Sequence, residues 1–184
     1  TEVMRQPIED GEVRITRVAA SVTYPCRTML VAAMNPCKCG YYGDRNRKCR
    51  CSEASVQRYL SKISGPLLDR IDIQTEASSL SYKDIKLPPA ETSAQIKKRV
   101  VKAREIQAER YKGCGFYTNA GLSGENISKY CELDREAEKV LKGAFEVMHL
   151  SARAHSRILK VSRTIADLAG SEKIGMMHVA EAVQ

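Results

Sequence analysis

The sequence Leu-Pro-Pro-Ala at residues 87–90 constrains the fold most, because it separates two stretches with different apolar patterns. Proline has a fixed φ and no backbone N–H, so two prolines in succession interrupt both helices and sheets. Before them, the apolar residues fall in short runs that are typical of strands and turns. After them, apolar residues recur at helical spacing over long stretches. We therefore predict a fragment of an α/β domain over residues 1–90 and an all-α domain over residues 91–184.

The first part contains several strand-like runs. Residues 12–17 and 20–24 predict the two strands of a β-hairpin, since polar and β-branched residues alternate there. Residues 28–34 form a continuous apolar run, which predicts a strand buried on both faces; a buried helix segment is the alternative. Residues 53–63 have the spacing of a helix, and residues 71–75 alternate like another strand.

The second part has the pattern of a helical bundle. Long helices are predicted by apolar residues that recur every three or four positions, and Gly170 provides a stop for one of them. The predicted helices cover residues 93–111, 134–148 and 151–169, with a shorter helix within 119–131 and a last one starting at 178. Together they predict a bundle with its own core.

The charge balance is basic. Thirty Lys and Arg oppose 22 Asp and Glu, which gives a net charge of +8 and a pI near 9.2. This favours anionic partners such as nucleic acid or nucleotide phosphates, although a fragment that lacks an acidic half would show the same balance. No run of 18 or more apolar residues is present, so we expect no membrane-spanning helix. Residues 1–10 carry acids and a proline instead of the apolar core of a secretion signal, so we expect a cytoplasmic protein.

Four of the seven cysteines lie within one short segment, residues 37–51, which has no helical or strand periodicity. They form two C-x-C pairs, Cys37 with Cys39 and Cys49 with Cys51. Four thiolates can complete the tetrahedral site that zinc prefers, although C-x₂-C is the more usual spacing. We favour zinc; a partly flexible loop without metal and a pair of reversible disulfides are the alternatives.

Basic and aromatic residues are interleaved with these cysteines. The cations of the segment are Arg45, Arg47, Lys48 and Arg50. Their charge would favour thiolates, and it would also suit phosphate oxygens. Tyr41 and Tyr42 could stack on bases beside these cations, or they could form a small core for the loop.

Four segments resemble a known family. Met34-Asn35-Pro36, the sequence GPLLDRID at residues 65–72 and the sequence SARAHSRILKVSRTIADL at residues 151–168 are similar to motifs of the magnesium-chelatase branch of AAA+ ATPases. The sequence NPCKCGYYGD at residues 35–44 is similar to an insert of its ComM/YifB type. The resemblance implies part of a AAA+ P-loop NTPase core, with its late strands and β-hairpin, followed by a helical lid bundle. It also implies a homo-oligomeric ring, a hexamer, and an ATP-driven motor that migrates branched DNA in competence.

The resemblance assigns roles to two residues of the first part. Asn35 matches sensor 1, which orients the attacking water or contacts the terminal phosphate; an Asn that caps a strand before a proline is the alternative. Arg70 matches the arginine finger, which reaches the nucleotide of the neighbouring subunit. A guanidinium suits this role because it is always charged and grips phosphate oxygens bidentately. The alternative for Arg70 is a salt bridge to Asp69 or Asp72.

Arg153 matches sensor 2, which contacts the nucleotide from the lid. Arg157 lies one helical turn further on and shares a face with it, so Arg157 is a rival candidate, as is Arg163 on the same helix. In this branch of AAA+ proteins a hairpin before sensor 1 points into the central pore, so Arg14 and Arg17 are candidates for contact with DNA. They lie on opposite faces of a flat strand, and a solvated hairpin is the alternative.

The chain departs from the family pattern in what it lacks. It has no G-x-x-x-x-G-K-[ST] sequence and no preceding apolar strand that ends in paired acids. Binding of ATP phosphates and Mg²⁺ is therefore expected upstream in a longer parent protein, and we expect no ATP hydrolysis by this chain alone. Two alternatives to a DNA motor remain: a chelatase-type ATPase that remodels a protein partner, and a zinc-binding nucleic-acid module without ATPase function. The cysteine-rich insert argues against the first, and the sensor and finger motifs argue against the second.

Overall fold

The structure is a computed structural model that describes residues 4–18, 20–44, 46–77 and 80–184. It divides into two compact units, Thr1–Lys86 and Leu87–Gln184. The first unit combines short helices with a small sheet, and the second is helical. The predicted succession of a mixed part and a helical part is therefore correct at this coarse level. None of the helices in the described residues is long and apolar enough to cross a membrane.

The elements of the first unit are short. In chain order they are α1 (Arg5–Asp10), β1 (Glu12–Arg17), β2 (Ala20–Pro25), α2 (Glu53–Leu60), α3 (Gly65–Leu68) and α4 (Tyr82–Lys86). Gly11 ends α1 with a φ of 66°, a left-handed conformation in which its N–H donates to the Pro7 carbonyl at 3.1 Å. The predicted hairpin is confirmed: β1 and β2 are antiparallel, with Arg14 opposite Thr23 and Arg17 opposite Ala20.

Two predicted strands are wrong. Residues 28–34 and 71–75 are not strands, and Met29 and Val31 expose 88% and 81% of their surface. A strand that is buried on both faces needs hydrogen-bonded neighbours and covering helices. In the described residues, β1 and β2 pair only with each other, so the apolar run has no sheet to join. The segment around Asn35 is consequently irregular and exposed instead of buried.

The second unit confirms the predicted helices. They are α5 (Ser93–Arg110), a 3₁₀ turn (Asn119–Gly121), α6 (Glu125–Tyr130), α7 (Arg135–Met148), α8 (Ala152–Ala169) and α9 (Met176–Val183). Their starts are set by side-chain caps. Thr92 and Gln95 form a capping box at α5, Asp134 accepts from the N–H of Ala137 at 2.7 Å, and Ser151 accepts from that of Ala154 at 3.1 Å. Each such cap contributes about 1 kcal/mol to helix stability.

The core of the second unit lies around α8. Buried apolar residues from α7, α8 and α9 meet there, together with Tyr111, which follows α5, and Leu122 from the connection that follows. The rings of Phe116 and Tyr130 pack on Tyr111 with centroids at 4.8 Å and 5.1 Å. Such aromatic pairs add to the burial of apolar area. Because α8 is packed into this core, the position of its first turn, which carries Arg153, is fixed within the second unit.

Candidate functional site

Four thiols meet in the loop between β2 and α2. The Sγ atoms of Cys37 and Cys39 are 3.4 Å apart, those of Cys39 and Cys49 3.5 Å, and those of Cys37 and Cys49 3.7 Å. Cys51 completes the group, whose four sulfur atoms all lie within 4.8 Å of one another. A zinc ion that binds four thiolates at about 2.3 Å requires sulfur atoms about 3.8 Å apart. The spacing of the thiols therefore fits a tetrahedral metal site.

Backbone groups of the loop are aimed at these sulfur atoms. The N–H groups of Arg50 and Tyr41 point at the Cys39 sulfur and lower the pKa of its thiol to about 6. The N–H of Cys51 donates to the Cys49 sulfur at 3.4 Å. Cys37 itself is fully buried. Hydrogen bonds from the backbone favour the thiolate form of Cys39, and thiolates are the form in which cysteine binds metals. The pKa of the Cys49 thiol is raised in spite of its backbone bond, because desolvation and the neighbouring sulfur atoms favour its protonated form.

The basic residues of the segment surround the same group. Lys48 and Arg50 are exposed, and with Arg47 and Tyr41 they line an open groove beside Cys39 and Cys49. Arg47 donates to the Tyr41 hydroxyl at 2.8 Å, and its guanidinium lies 5.2 Å from the centre of the Tyr41 ring. Arg45 lies outside the described residues. The groove therefore combines positive charge with an aromatic ring.

Arg70 follows the short helix α3 and reaches back to α1. Its Nε donates to Glu9 Oε2 at 2.9 Å, its Nη2 donates to the same oxygen, and its Nη1 donates to the Pro66 carbonyl at 2.5 Å. In the described residues it bonds to neither Asp69 nor Asp72, which were the partners expected if Arg70 were structural. The side chain is 15% exposed, and that of Glu9 is 42% exposed.

The other candidates in the first unit are exposed. Asn35 lies in the irregular segment after residue 34, so no sheet fixes its position in the described residues. Arg14 and Arg17 both lie on β1. Arg14 shares one face of the hairpin with Thr16 and Ser21, whose hydroxyl oxygens are 3.2 Å apart. Arg17 belongs to the other face. The hairpin therefore presents its two arginines on opposite faces.

The arginines of α8 fall into two environments. Arg153 is exposed in the first turn, and Arg157 is half-buried one turn further on. Arg163, by contrast, is only 2% exposed. It donates to Asp167 at 3.1 Å and to the carbonyls of Glu172 and Ser171 at 2.7 and 2.6 Å. Arg163 thus stabilises the end of the helix, and it is no longer a rival for the nucleotide-sensing position.

Two acidic residues that form ion pairs with arginines were not predicted from the sequence. Glu9 is 61 residues from Arg70, and no local pattern links them. Asp167 is four residues from Arg163 on one helix face, a spacing that could have identified the pair. Asp167 is fully buried and also accepts two bonds from Arg110 and one, at 2.9 Å, from the amide of Asn119.

Comparisons with known proteins place the chain in a family. The model described as "Magnesium chelatase, subunit ChlI" matches residues 1–85, and the model described as "Magnesium chelatase, subunit ChlI C-terminal" matches residues 90–184. The chain is 43% identical to the competence protein ComM of Haemophilus influenzae over 185 residues, which cover 99% of the chain and 35% of that protein. It is 41% identical to the uncharacterized protein YifB of Escherichia coli over 187 residues, with the same coverage. The chain therefore spans about a third of the length of these curated relatives.

Proposed function

Because this chain belongs to the magnesium chelatase ChlI family and is of its ComM/YifB type, we propose that it is the C-terminal part of a AAA+ ATPase that remodels branched DNA. The observation that carries the proposal is the similarity to the competence protein ComM along 99% of the chain. In this account the motor is a homo-oligomeric ring, a hexamer. ATP phosphates and Mg²⁺ are bound by a segment of the longer protein outside these 184 residues, since no P-loop sequence occurs among them.

Arg70 is proposed as the arginine finger that acts on the nucleotide of a neighbouring subunit. Phosphoryl transfer depends on positioned positive charge more than on covalent chemistry, because charge spreads over the equatorial oxygens of the transferred group. A guanidinium can pair with two of these oxygens at once. The contacts of Arg70 with Glu9 and Pro66 support this role, since they hold the side chain in one orientation at the end of α3.

Arg153 is proposed as sensor 2, with Arg157 next to it on the same face. The first turn of α8 has backbone N–H groups that point out of the helix, so it favours an anion, and a nearby cation strengthens that preference. Asn35 is proposed as sensor 1, whose neutral amide orients the attacking water. Arg70, by contrast, acts on the nucleotide of the next subunit.

The cysteine cluster is proposed as a structural zinc site. Zinc bound by Cys37, Cys39, Cys49 and Cys51 would hold a loop whose buried apolar residues are few. Metal binding would also fix the groove that carries Tyr41, Arg47, Lys48 and Arg50. We propose that this groove, together with Arg14 or Arg17 of the hairpin and Arg45, contacts the phosphates of DNA.

A mixing experiment tests the ATPase part of the proposal. Arg70→Ala in the full-length protein should lower ATP turnover by about 10³-fold or more and leave ATP affinity within a few-fold of wild type. Because the finger acts in trans, adding the Arg70→Ala protein to wild-type protein should inhibit turnover more than simple dilution does. An equal loss of ATP binding and turnover, or inhibition no greater than dilution, would contradict a finger in trans.

A further inference from the structure

Glu9 and Arg70 form a contact across 61 residues of the first unit, between the last turn of α1 and the second residue after α3. A single carboxylate oxygen, Oε2, accepts from both Nε and Nη2 of the guanidinium. On the other side, Nη1 donates to the carbonyl of Pro66. The guanidinium plane is therefore held from two directions.

The contacts use only part of the guanidinium. An arginine carries five N–H groups in a fixed, planar fork. Glu9 takes the edge formed by Nε and Nη2, and Pro66 takes one N–H of Nη1. One N–H of Nη1 and one N–H of Nη2 remain, and in the described part of the chain no acceptor is bonded to them; that of Nη2 lies on the distal edge of the guanidinium, between Nη1 and Nη2. A fork–fork pair with a phosphate uses such an edge.

We propose that Glu9 is a positioning residue for Arg70, which orients the distal edge of the guanidinium towards the phosphate of the neighbouring subunit's nucleotide. This inference rests on the proposed function of Arg70 as an arginine finger. Glu9 touches neither the nucleotide nor the reacting atoms in this account. It acts through the arginine alone.

A carboxylate beside a finger has two opposed effects. It orients the guanidinium, and it offsets part of the positive charge that attracts the phosphate. The second effect is small here, because Glu9 is 42% exposed and ion pairs near the surface are screened by water. The first is large, because an arginine side chain otherwise samples many rotamers, and a displacement of about 1 Å in an active site can lower a rate by about 10²-fold. Orientation therefore dominates, and loss of Glu9 should slow turnover.

The test is ATP turnover by the full-length protein that contains this chain. Glu9→Ala should lower kcat by about tenfold or more while the KM for ATP stays within about twofold, because the finger acts on the transition state and not on ATP binding. Glu9→Gln keeps an acceptor oxygen without the charge and should retain an intermediate kcat. In the double variant Glu9→Ala with Arg70→Ala, kcat should equal that of Arg70→Ala alone, since Glu9 then has nothing to orient.

Glu91→Ala is the matched control, because it removes the exposed ion pair between Glu91 and Arg99 in the second unit, whose atoms are 2.6 Å apart. Its kcat should be unchanged. A Glu9→Ala protein that turns over ATP as fast as wild type, or faster, would overturn the proposal, as would a further loss in the Arg70→Ala background. Wild-type turnover by Arg70→Ala would instead overturn the proposed function itself, so the two failures are distinguishable.

Discussion

Arg110 and Asp167, which are 57 residues apart, form a two-point ion pair: Nη1 donates to Oδ2 at 2.9 Å, and Nη2 donates to Oδ1 at 2.5 Å. The carboxylate is fully buried and is shared with Arg163, which donates to Oδ1 at 3.1 Å. One buried carboxylate thus accepts hydrogen bonds from two guanidinium groups. It links the end of α5 to α8, the helix that carries the proposed sensor 2 residue.

This ion pair predicts a large loss of stability for Asp167→Asn. The substitution leaves the guanidinium groups of Arg110 and Arg163 facing a neutral amide, and an uncompensated buried charge costs about 3–5 kcal/mol. Urea unfolding of the chain, followed by circular dichroism, measures the change. Glu91→Gln, which weakens the exposed pair between Glu91 and Arg99, should leave the midpoint unchanged. A midpoint for Asp167→Asn equal to that of this control would show that the network contributes little.

Substitutions at two arginines of α8 should distinguish a loss of stability from a loss of nucleotide sensing. Arg163→Ala removes three hydrogen bonds from a buried site, so it should lower the melting temperature of the chain by several degrees. Arg153→Ala changes an exposed side chain, so it should lower the melting temperature much less than Arg163→Ala does, and it should weaken ATP binding or turnover in the full-length protein. Thermal melting and ATP turnover of both variants decide the assignment. Turnover by Arg153→Ala at the wild-type rate with wild-type affinity would remove it as sensor 2.

The thiol cluster predicts about one zinc ion per chain after purification without chelators. Cys37→Ser combined with Cys39→Ser should abolish bound zinc and increase protease cleavage within residues 37–51, because the loop loses its cross-link. Cys114→Ser is the matched control, since Cys114 is exposed and bonds to the Tyr130 hydroxyl outside the cluster. Metal content by mass spectrometry and limited proteolysis measure both effects. Unchanged metal content in the double variant would exclude this site.

The basic groove predicts salt-dependent DNA binding. Removing one cation that pairs with a phosphate of duplex DNA lowers the slope of log K against log salt by about 0.9. Lys48→Ala combined with Arg50→Ala should therefore flatten that slope by up to about 1.8 and weaken binding to all sequences alike. Lys139→Ala, a change on the exposed face of α7 where Lys139 pairs with Glu136, should have no effect. Affinity titrations at several salt concentrations measure the slope, and identical slopes for both variants would place the DNA elsewhere.

The sequence predicted the helices far better than the strands. The helices after residue 91 follow from periodicity and from caps such as Thr92, Asp134 and Ser151, which are signals within the helix itself. A strand depends on partners that a local pattern does not specify. The strand predicted from the apolar pattern of residues 28–34 is therefore wrong. The same limit applies to contacts between distant residues.

In the candidate site, too, contacts between residues close in sequence were predicted and contacts between distant residues were not. The thiols were predicted to meet because their spacing within 37–51 is local, and the structure brings them together. The partner of Arg70 was not predicted: Asp69 and Asp72 are neighbours in sequence, whereas Glu9 is 61 residues away. Which arginine of α8 is structural was likewise decided by the burial of Arg163, which the helical pattern alone does not give.

ATP turnover by the full-length protein, measured with and without four-way DNA, tests the central claim most directly. We predict that branched DNA stimulates turnover strongly and that Arg70→Ala abolishes the stimulated rate, because the proposed ring couples ATP hydrolysis to movement along DNA. Turnover that is indifferent to DNA would contradict the account and favour an ATPase that remodels a protein partner.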